Sequence, residues 1–231
     1  ALRAAGPARR RVALAAVLAG LVATGSLFAR DWRRRHDPHL RVTFLDVGQG
    51  DAAVVEAPGG DVAVIDGGGA FDDAFDPGER IVEPFLRARG IGRVELVALS
   101  HPHPDHLNGL RRVLERFPVG ALWTSGDDGR NPEYWRLLDL ARSRGVAAPT
   151  PEARVLGGVT LQPLGPFVVR GGRDVIAPPE GLTVNDASLV LRLAFAGRAV
   201  FFLECRHAVD PRSHVGSLFL HGHAGGGIAR C

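Results

Sequence analysis

The sequence has little sulfur and an unusual set of basic residues. Its 231 residues include no methionine, and all 28 basic residues are arginine because lysine is absent. Since there is no initiator methionine, we expect a processed or partial chain. Two cysteines occur, Cys205 and Cys231, both in the last segment. This placement excludes a disulfide framework or a cysteine-rich zinc site for the body of the chain.

Excess positive charge is absent outside the N-terminal segment. Residues 1–40 carry 8 arginines against 2 aspartates, whereas residues 41–231 carry 20 arginines against 23 acidic residues. The net charge of +3 therefore belongs to the leader, and bulk electrostatics give no support for a nucleic-acid groove. With 45% hydrophobic residues the chain can build a real core, which excludes disorder as the default.

The leader contains a long uncharged run. Residues 12–29, "VALAAVLAGLVATGSLFA", have arginines on both sides. As a helix this run would be about 27 Å long, close to the ~30 Å hydrocarbon layer of a bilayer. The sequence predicts a transmembrane helix within residues 1–35; a signal peptide cut near Ala23 or Gly25 and a buried soluble helix are the alternatives. Arginine counts are equal on the two sides, so they do not favour one orientation.

Short strands and helices alternate after the leader. "RVTFLDV", "DAAVVEA" and "DVAVID" predict three antiparallel strands, and "VELVALS" predicts a buried strand. Helices are predicted over "GERIVEPFLRARG", across "LNGLRRVLERF" and after Asn131 as N-cap. "SLVLRLAF" and "RAVFFLE" predict two final strands. This order predicts a layered α/β domain with a mixed sheet over residues 36–204.

A cluster of potential metal ligands follows the buried strand. In "LSHPHPDHLNGL", His101, His103, Asp105 and His106 fall within six residues, between a strand and a helix. Imidazole and carboxylate groups are good ligands for zinc and similar divalent ions, and the two interleaved prolines restrict the backbone that carries them. The alternative is that Asp105 caps the helix and the histidines face solvent, but a cap explains one residue of the four.

The motif "HPHPDH" matches the HxHxDH signature of the metallo-β-lactamase superfamily. Together with "FLDVGQGDA", "VIDGGG" and "NDASLVLRL", in this chain order, it resembles the C-terminal domain of the ComEC-type DNA-internalisation competence proteins. The resemblance covers residues ~12–204. It implies a metallo-β-lactamase-like αββα sandwich with mixed sheets, placed behind a last transmembrane helix in the cell inner membrane, with the domain on the outer face.

The resemblance also implies a role for each residue of the cluster. His101 and His103 would be ligands of one metal, and Asp105 and His106 ligands of a second. Asp66 would match the superfamily's first motif aspartate, which steadies the ligand loop, so that Asp105 and Asp66 are the expected catalytic carboxylates. A turn aspartate before glycines is the alternative for Asp66.

Three further residues are expected to bind substrate. Asn185 falls where many relatives place another ligand histidine, and an amide there would orient substrate or water. Gln49 and Asp51, with Asp46 beside them, lie in a glycine-containing loop. That loop either faces the site or forms a tight hairpin turn, and the residues favour the two readings equally.

The implied chemistry is hydrolysis with two divalent ions, Zn or Mn, which activate a water and stabilise charge on the substrate oxygens. The resemblance implies DNA as the partner, with the domain acting as a nuclease on the strand that is not imported. Thioester or lactam hydrolysis would fit the same residues. We therefore expect a metal-dependent phosphodiesterase or nuclease linked to DNA uptake, with a small-molecule metallo-hydrolase or a catalytically inactive fragment as alternatives.

The resemblance ends near Glu204. Relatives continue into a Gly-Asp turn whose carboxylate bridges the metals, and later supply a His-His-Gly motif; residues 205–231 contain neither. We expect an incomplete second half, an impaired second metal site and a divergent, disordered tail. A shifted reading frame near Glu204 would explain the change in composition, and a substitute site made from the tail histidines and cysteines is the alternative.

Overall fold

The computed structural model of the protein describes residues 7–69, 75–126, 131–164, 188–203 and 217–222. The expected substrate residue Asn185 lies outside the described residues, as does most of the tail. The helices are α1 (Pro7–Arg35), α2 (Glu83–Arg89), α3 (Pro104–Arg116) and α4 (Pro132–Ser143). A 3₁₀ turn covers Pro58–Gly60, and a π-helical turn covers Gly78–Val82.

Helix α1 contains the whole uncharged run of the leader. No residue of α1 is buried, and its exposed apolar side chains include Val22 (69%) and Phe28 (70%). Among the described residues it is the one helix long and apolar enough to cross a membrane, judged by length and composition. The alternative of a buried soluble helix is wrong for the part of the chain described, because nothing there covers the apolar surface.

The first sheet is mixed, as the sequence predicts. It has the order β1-β2-β3-β4-β5, with antiparallel pairing from β1 to β3 and parallel pairing from β3 to β5. Its strands are β1 (Arg41–Phe44), β2 (Ala53–Glu56), β3 (Val62–Ile65), β4 (Val94–Leu99) and β5 (Val119–Thr124). The predicted strands are confirmed but shorter, because "LDVGQGD" leaves the ladder as a loop.

The second sheet is antiparallel throughout and has the order β10-β9-β8-β7-β6. Its strands are β6 (Arg154–Leu156), β7 (Val159–Leu164), β8 (Val190–Phe195), β9 (Arg198–Leu203) and β10 (Ser217–Gly222). Strand β10 belongs to the segment expected to be disordered, and its backbone pairs along β9. The boundaries at residues 36 and 204 stay a prediction.

Two hydrophobic cores lie on the two faces of the first sheet. On one face, the sheet packs against α2, α3 and α4, and buried members of this helix-side core are Val64, Leu99, Leu110, Leu114 and Leu137. On the other face it packs against the second sheet, and buried members of this inter-sheet core are Ile65, Ala98, Trp123, Leu161, Leu191 and Leu193. The described residues thus form three layers of the predicted αββα sandwich: helices, first sheet and second sheet.

The predicted helix over residues 78–90 begins differently from an ordinary α-helix. The Glu83 N–H bonds to the Gly78 carbonyl, five residues back, so that the first turn is π-helical and α2 starts at Glu83. Pro84 then lies in the first α-helical turn, where its missing N–H is tolerated. Gly90, in the left-handed conformation at φ 72°, ends α2 as predicted.

Candidate metal centre

The candidate site lies at the carboxyl ends of the parallel strands. Asp66 directly follows β3, and Ser100 and His101 directly follow β4. Because parallel strands end at the same edge of a sheet, residues far apart in sequence meet there. The chain then enters α3, whose N-cap is His103 and whose first turn carries Asp105.

Asp66 joins three elements of this edge. Its Oδ1 accepts a hydrogen bond from the Ser100 N–H at 2.7 Å, and its Oδ2 lies 3.0 Å from His106 Nδ1. Asp66 and His106 are both buried, at 4% exposure each. If Nδ1 carries the proton, His106 presents the lone pair of Nε2, which is the form that a metal ligand needs. Asp66 also has a left-handed backbone at φ 54°, which asparagine and aspartate tolerate better than most other residues with a side chain.

The three histidine rings of the motif lie against one another. The His101 ring centroid is 4.6 Å from that of His103 and 4.2 Å from that of His106. His101 is 1% exposed, and its Nδ1 lies 3.0 Å from Ser100 Oγ. The alternative of solvent-facing histidines is therefore wrong for His101 and His106.

Asp105 does not cap α3. The N-cap position belongs to His103, and the Asp105 carboxylate makes no capping hydrogen bond. Its Oδ2 lies 3.9 Å from His106 Nε2, and its Oδ1 is buried without a hydrogen-bond partner among the described residues. A buried carboxylate oxygen without a partner is costly unless a cation or a further donor completes it.

These residues fit a divalent ion by donor chemistry, since they combine neutral imidazoles with a carboxylate that has an open oxygen. Among the described residues, however, no three His, Cys, Asp or Glu side chains bring their donor atoms close enough to hold one ion. The fold gathers the ligand types at one edge without closing a coordination sphere. An ion would have to draw these side chains together.

The glycine-containing loop, residues 45–52, packs directly on residues 101–106, which carry the predicted metal ligands and are called the ligand segment below. It joins β1 to β2, and it is thus a hairpin connection that also faces the site. A Cβ at Gly50 would overlap the backbone carbonyl of Asp105. The backbone carbonyls of Gln49 and Asp51 accept hydrogen bonds from the N–H groups of Gly69 and Gly68. The loop is therefore part of the site's wall, and substrate binding by Gln49 and Asp51 stays a prediction.

The "GGG" segment after Asp66 lies on the start of α3. The Gly67 N–H bonds to the His106 carbonyl at 2.7 Å, and the Gly109 N–H bonds to the Gly68 carbonyl at 3.1 Å. A Cβ at Gly109 would overlap the Gly67 carbonyl, so this close approach requires glycine. The three glycines therefore allow α3 to pack closely against the end of β3.

Two positioning contacts were not predicted from the sequence. Ser100 Oγ lies near both His101 Nδ1 and His106 Nδ1, at 3.0 and 3.4 Å. Asn131 caps α4 as predicted, accepting from the Glu133 N–H at 3.0 Å, and its Nδ2 also donates to the Pro102 carbonyl between two motif histidines. The contact of Ser100 could have been suspected from the sequence, because Ser100 is a polar residue directly before the histidine motif. No feature of the sequence near Asn131 indicates its contact with Pro102.

The sequence-family model of the metallo-beta-lactamase superfamily matches residues 45–223 of this chain. The chain belongs to this superfamily. The metallo-beta-lactamase match covers β2 to β10 and the whole histidine motif, so the fold expected from the resemblance is confirmed. The roles of the individual site residues stay predictions.

Two curated relatives extend this result. The chain is 32% identical over 169 residues to ComE operon protein 3 of Bacillus subtilis, covering 68% of this chain and 21% of that protein. It is 34% identical over 104 residues to the uncharacterized protein YcaI of Escherichia coli, covering 45% of this chain and 12% of that protein. The chain thus spans 21% and 12% of the length of these two relatives. The resemblance to a competence protein is confirmed at the level of sequence similarity.

A solved metallo-beta-lactamase of Cronobacter sakazakii, a HARLDQ-motif mutant, is 18% identical. The likeness covers 70% of this chain and 60% of that chain at a TM-score of 0.45. The family assignment rests on the sequence match.

Proposed function

We propose that this chain is a metal-dependent phosphodiesterase or nuclease domain of a DNA-uptake protein, attached to the inner membrane through residues 12–29 with the domain on the outer face. The observation that carries the proposal is the contact of the His101 ring with the rings of His103 and His106, beside Asp105. His101 and His106 are buried, and Asp66 lies within hydrogen-bond distance of His106. The sequence similarity to ComE operon protein 3 supports the link to competence.

The proposed ligands are His101 and His103 for one ion and Asp105 and His106 for a second. Two bound divalent ions, zinc or manganese, would supply water activation and charge stabilisation on the phosphate oxygens. Asp66 holds His106 and the Ser100 backbone in place, which fixes the tautomer and direction of the ligand ring. The loop with Gln49 and Asp51 would face the substrate, and Asn185 would orient substrate or water.

An inactive domain is the second candidate. It is favoured by the absence, among the described residues, of three donor side chains close enough to hold one ion. The segment directly after β9, "ECRHAVD", points the same way, since it does not contain the Gly-Asp turn that the resemblance implies there as a source of a further metal ligand.

Metal content and cleavage, measured together, decide between these proposals. The full chain, purified in uncharged detergent, would be analysed for zinc and manganese and assayed on single-stranded DNA and on a simple phosphodiester. We expect bound metal in the wild type, and loss of metal and cleavage in His103→Ala. His39→Ala is the matched control because His39 is exposed and lies away from the cluster.

Three outcomes are separated by this assay. Metal binding with metal-dependent cleavage of DNA supports the nuclease proposal. Metal binding without cleavage of either substrate supports the inactive domain. Folded protein that binds neither zinc nor manganese contradicts the metal centre itself.

A further inference from the structure

A basic cleft lies between the end of α1 and the domain, away from the histidine cluster. It has a volume of about 220 Å³, smaller than the roughly 300–1,000 Å³ of pockets that enclose a whole small molecule. Five arginines line it together with two carboxylates, and its lining residues include Arg30, Arg33, Arg34, Arg41 and Arg89. Its size fits one charged group rather than an entire ligand.

Two of these arginines dock α1 onto the domain. Arg30 donates through Nη2 to the carbonyls of Arg87 and Ala88 at the end of α2, where the helix dipole is negative. Arg34 donates to the Gly60 carbonyl in the 3₁₀ turn. The cleft walls are therefore held together by hydrogen bonds that use the arginines' own side chains.

The positive charge of the cleft is not balanced by its carboxylates. Glu56 pairs with Arg89 through both oxygens, and Asp37 pairs with Arg41 at 3.2 Å. Among the described residues, Arg33 has no carboxylate within 4.0 Å. Arg34 pairs with Asp31 at 3.4 Å, and its buried Nε has no hydrogen-bond partner. Guanidinium groups with unused donors are suited to bidentate recognition of a phosphate.

The position of the cleft along α1 indicates which phosphate it meets. The uncharged run of residues 12–29 is about as long as the hydrocarbon layer, so Arg30, Arg33 and Arg34 follow it directly at headgroup depth. Trp32 in the same turn is 54% exposed and stacks on Phe28 and His36. Tryptophan at a helix end is typical of the membrane interface.

We propose that this cleft binds the phosphate of an anionic phospholipid headgroup. The proposal rests on the membrane attachment proposed above, and it adds a lipid site to the docking of α1 on the domain. Arg33 supplies charge that no carboxylate among the described residues neutralises, and Arg34 supplies a buried Nε–H that has no hydrogen-bond partner. A lipid bound there would hold the helix end, the 3₁₀ turn and the end of α2 around one headgroup.

The test is a titration of the full chain in uncharged detergent micelles, followed by tryptophan fluorescence because Trp32 adjoins the cleft. Short-chain phosphatidylglycerol is the probe, with phosphatidylcholine, inorganic phosphate and a single-stranded oligonucleotide as comparisons. We expect saturable binding of phosphatidylglycerol alone. Arg33→Gln should weaken it about fivefold, the effect of ~1 kcal/mol per basic residue at an anionic lipid surface.

Arg35→Gln is the matched control. It removes the same charge two residues along the same helix, but Arg35 does not line the cleft and pairs with Asp31 at 2.7 Å. Equal weakening by both variants would show general surface attraction and overturn the proposal. Equal binding of phosphatidylcholine, equal binding of inorganic phosphate, or Arg33-dependent binding of the oligonucleotide would overturn it as well.

Alkaline carbonate extraction from phosphatidylcholine vesicles separates this proposal from the membrane span. Wild type, Arg33→Gln and Arg35→Gln should all resist extraction. Extraction of the wild type would contradict the span. Resistance without a preference for phosphatidylglycerol would contradict the lipid site alone.

Discussion

The two sheets of this domain differ in how they are covered. In the first sheet, every residue of β2 and β3 is buried, because helices cover one face and the second sheet covers the other. In the second sheet, β8 alternates between buried and partly exposed residues, and Val155 on β6 is 63% exposed. The four residues of the histidine motif that are predicted ligands follow β4, at the edge of the doubly covered sheet. The candidate site is thus supported by the more fully buried part of the fold.

Shortening a large buried side chain in the helix-side core should show this difference most clearly. Leu114→Ala removes a fully buried side chain between α3 and the first sheet, and we expect a loss of about 2–5 kcal/mol in the free energy of unfolding. Val155→Ala on the second sheet should change it by less than about 0.5 kcal/mol. Urea denaturation of both variants measures the contrast. Similar losses would mean that the second sheet is covered more fully than described.

The next largest loss of stability is expected from substitutions in the loop that packs on the ligand segment. Gly50→Ala would drive a Cβ into the Asp105 carbonyl, in addition to the left-handed φ of 75°. Gly48→Ala has a similar φ of 81° but open space around the new Cβ. We expect Gly48→Ala to lower the free energy of unfolding by about 1–2 kcal/mol, because of the backbone conformation alone. Gly50→Ala should lower it further. Equal thermal unfolding of the two variants would show that the loop does not press on the ligand segment.

A charge network within the helix layer should contribute a pH-dependent part of the stability. Glu83 lies 2.5 Å from Arg112 and 2.7 Å from Arg87, and these hydrogen bonds, that of Arg112 first, lower the pKa of Glu83. Glu83→Gln should lower the free energy of unfolding by about 1–3 kcal/mol at neutral pH. Glu133→Gln, at a more exposed ion pair (31%), should cost less than about 1 kcal/mol.

The sign of the pH effect follows from the lowered pKa. The stabilisation by Glu83 is present above the ordinary carboxyl pKa of 4.5 and is lost as the pH falls through the lower folded value. The difference between wild type and Glu83→Gln in urea denaturation should therefore shrink in acid. A difference that stays constant from neutral pH into acid would show that Glu83 acts by packing.

The smallest effect on stability is expected at Asn131. Asn131→Ser keeps an N-cap oxygen for α4 but removes the amide that donates to the Pro102 carbonyl. We expect unfolding within about 0.5 kcal/mol of the wild type, with metal affinity reduced about tenfold, as for other groups that orient ligands. Asn131→Ala, which removes both functions, is the comparison. Unchanged metal binding in both variants would leave Asn131 a cap only.

Much of the fold could be predicted because its signals are local. Leu110, Val113 and Leu114 recur at helical spacing, and all three are buried against the sheet. The strands that flank the glycine-rich turns were found from short apolar runs. The strands are shorter than predicted, since "LDV" is typical of a strand by composition but continues into a loop, where Val47 joins the helix-side core and lies against Gly68.

The contacts that hold the site could not be predicted in the same way. The approach of Gly50 to Asp105 and of Asn131 to Pro102 joins segments distant in the chain, and periodicity indicates only which face of an element is inward. Arg30 and Arg34 look in sequence like a solvated flank of an apolar helix. Their bonds to backbone carbonyls of the domain depend on where α2 and the 3₁₀ turn end in space.

The docking of α1 by Arg30 and Arg34 also bears on how the sheet edge with the histidine cluster would meet the proposed substrate. A domain joined by a loose tether would sample many heights and tilts above a bilayer. Here the helix end is bonded to two separate points of the domain, so that the five residues between α1 and β1 do not act as a swivel. With α1 in the membrane as proposed, the histidine cluster would keep a fixed distance and angle to the lipid surface, and a DNA strand would have to approach it along that plane.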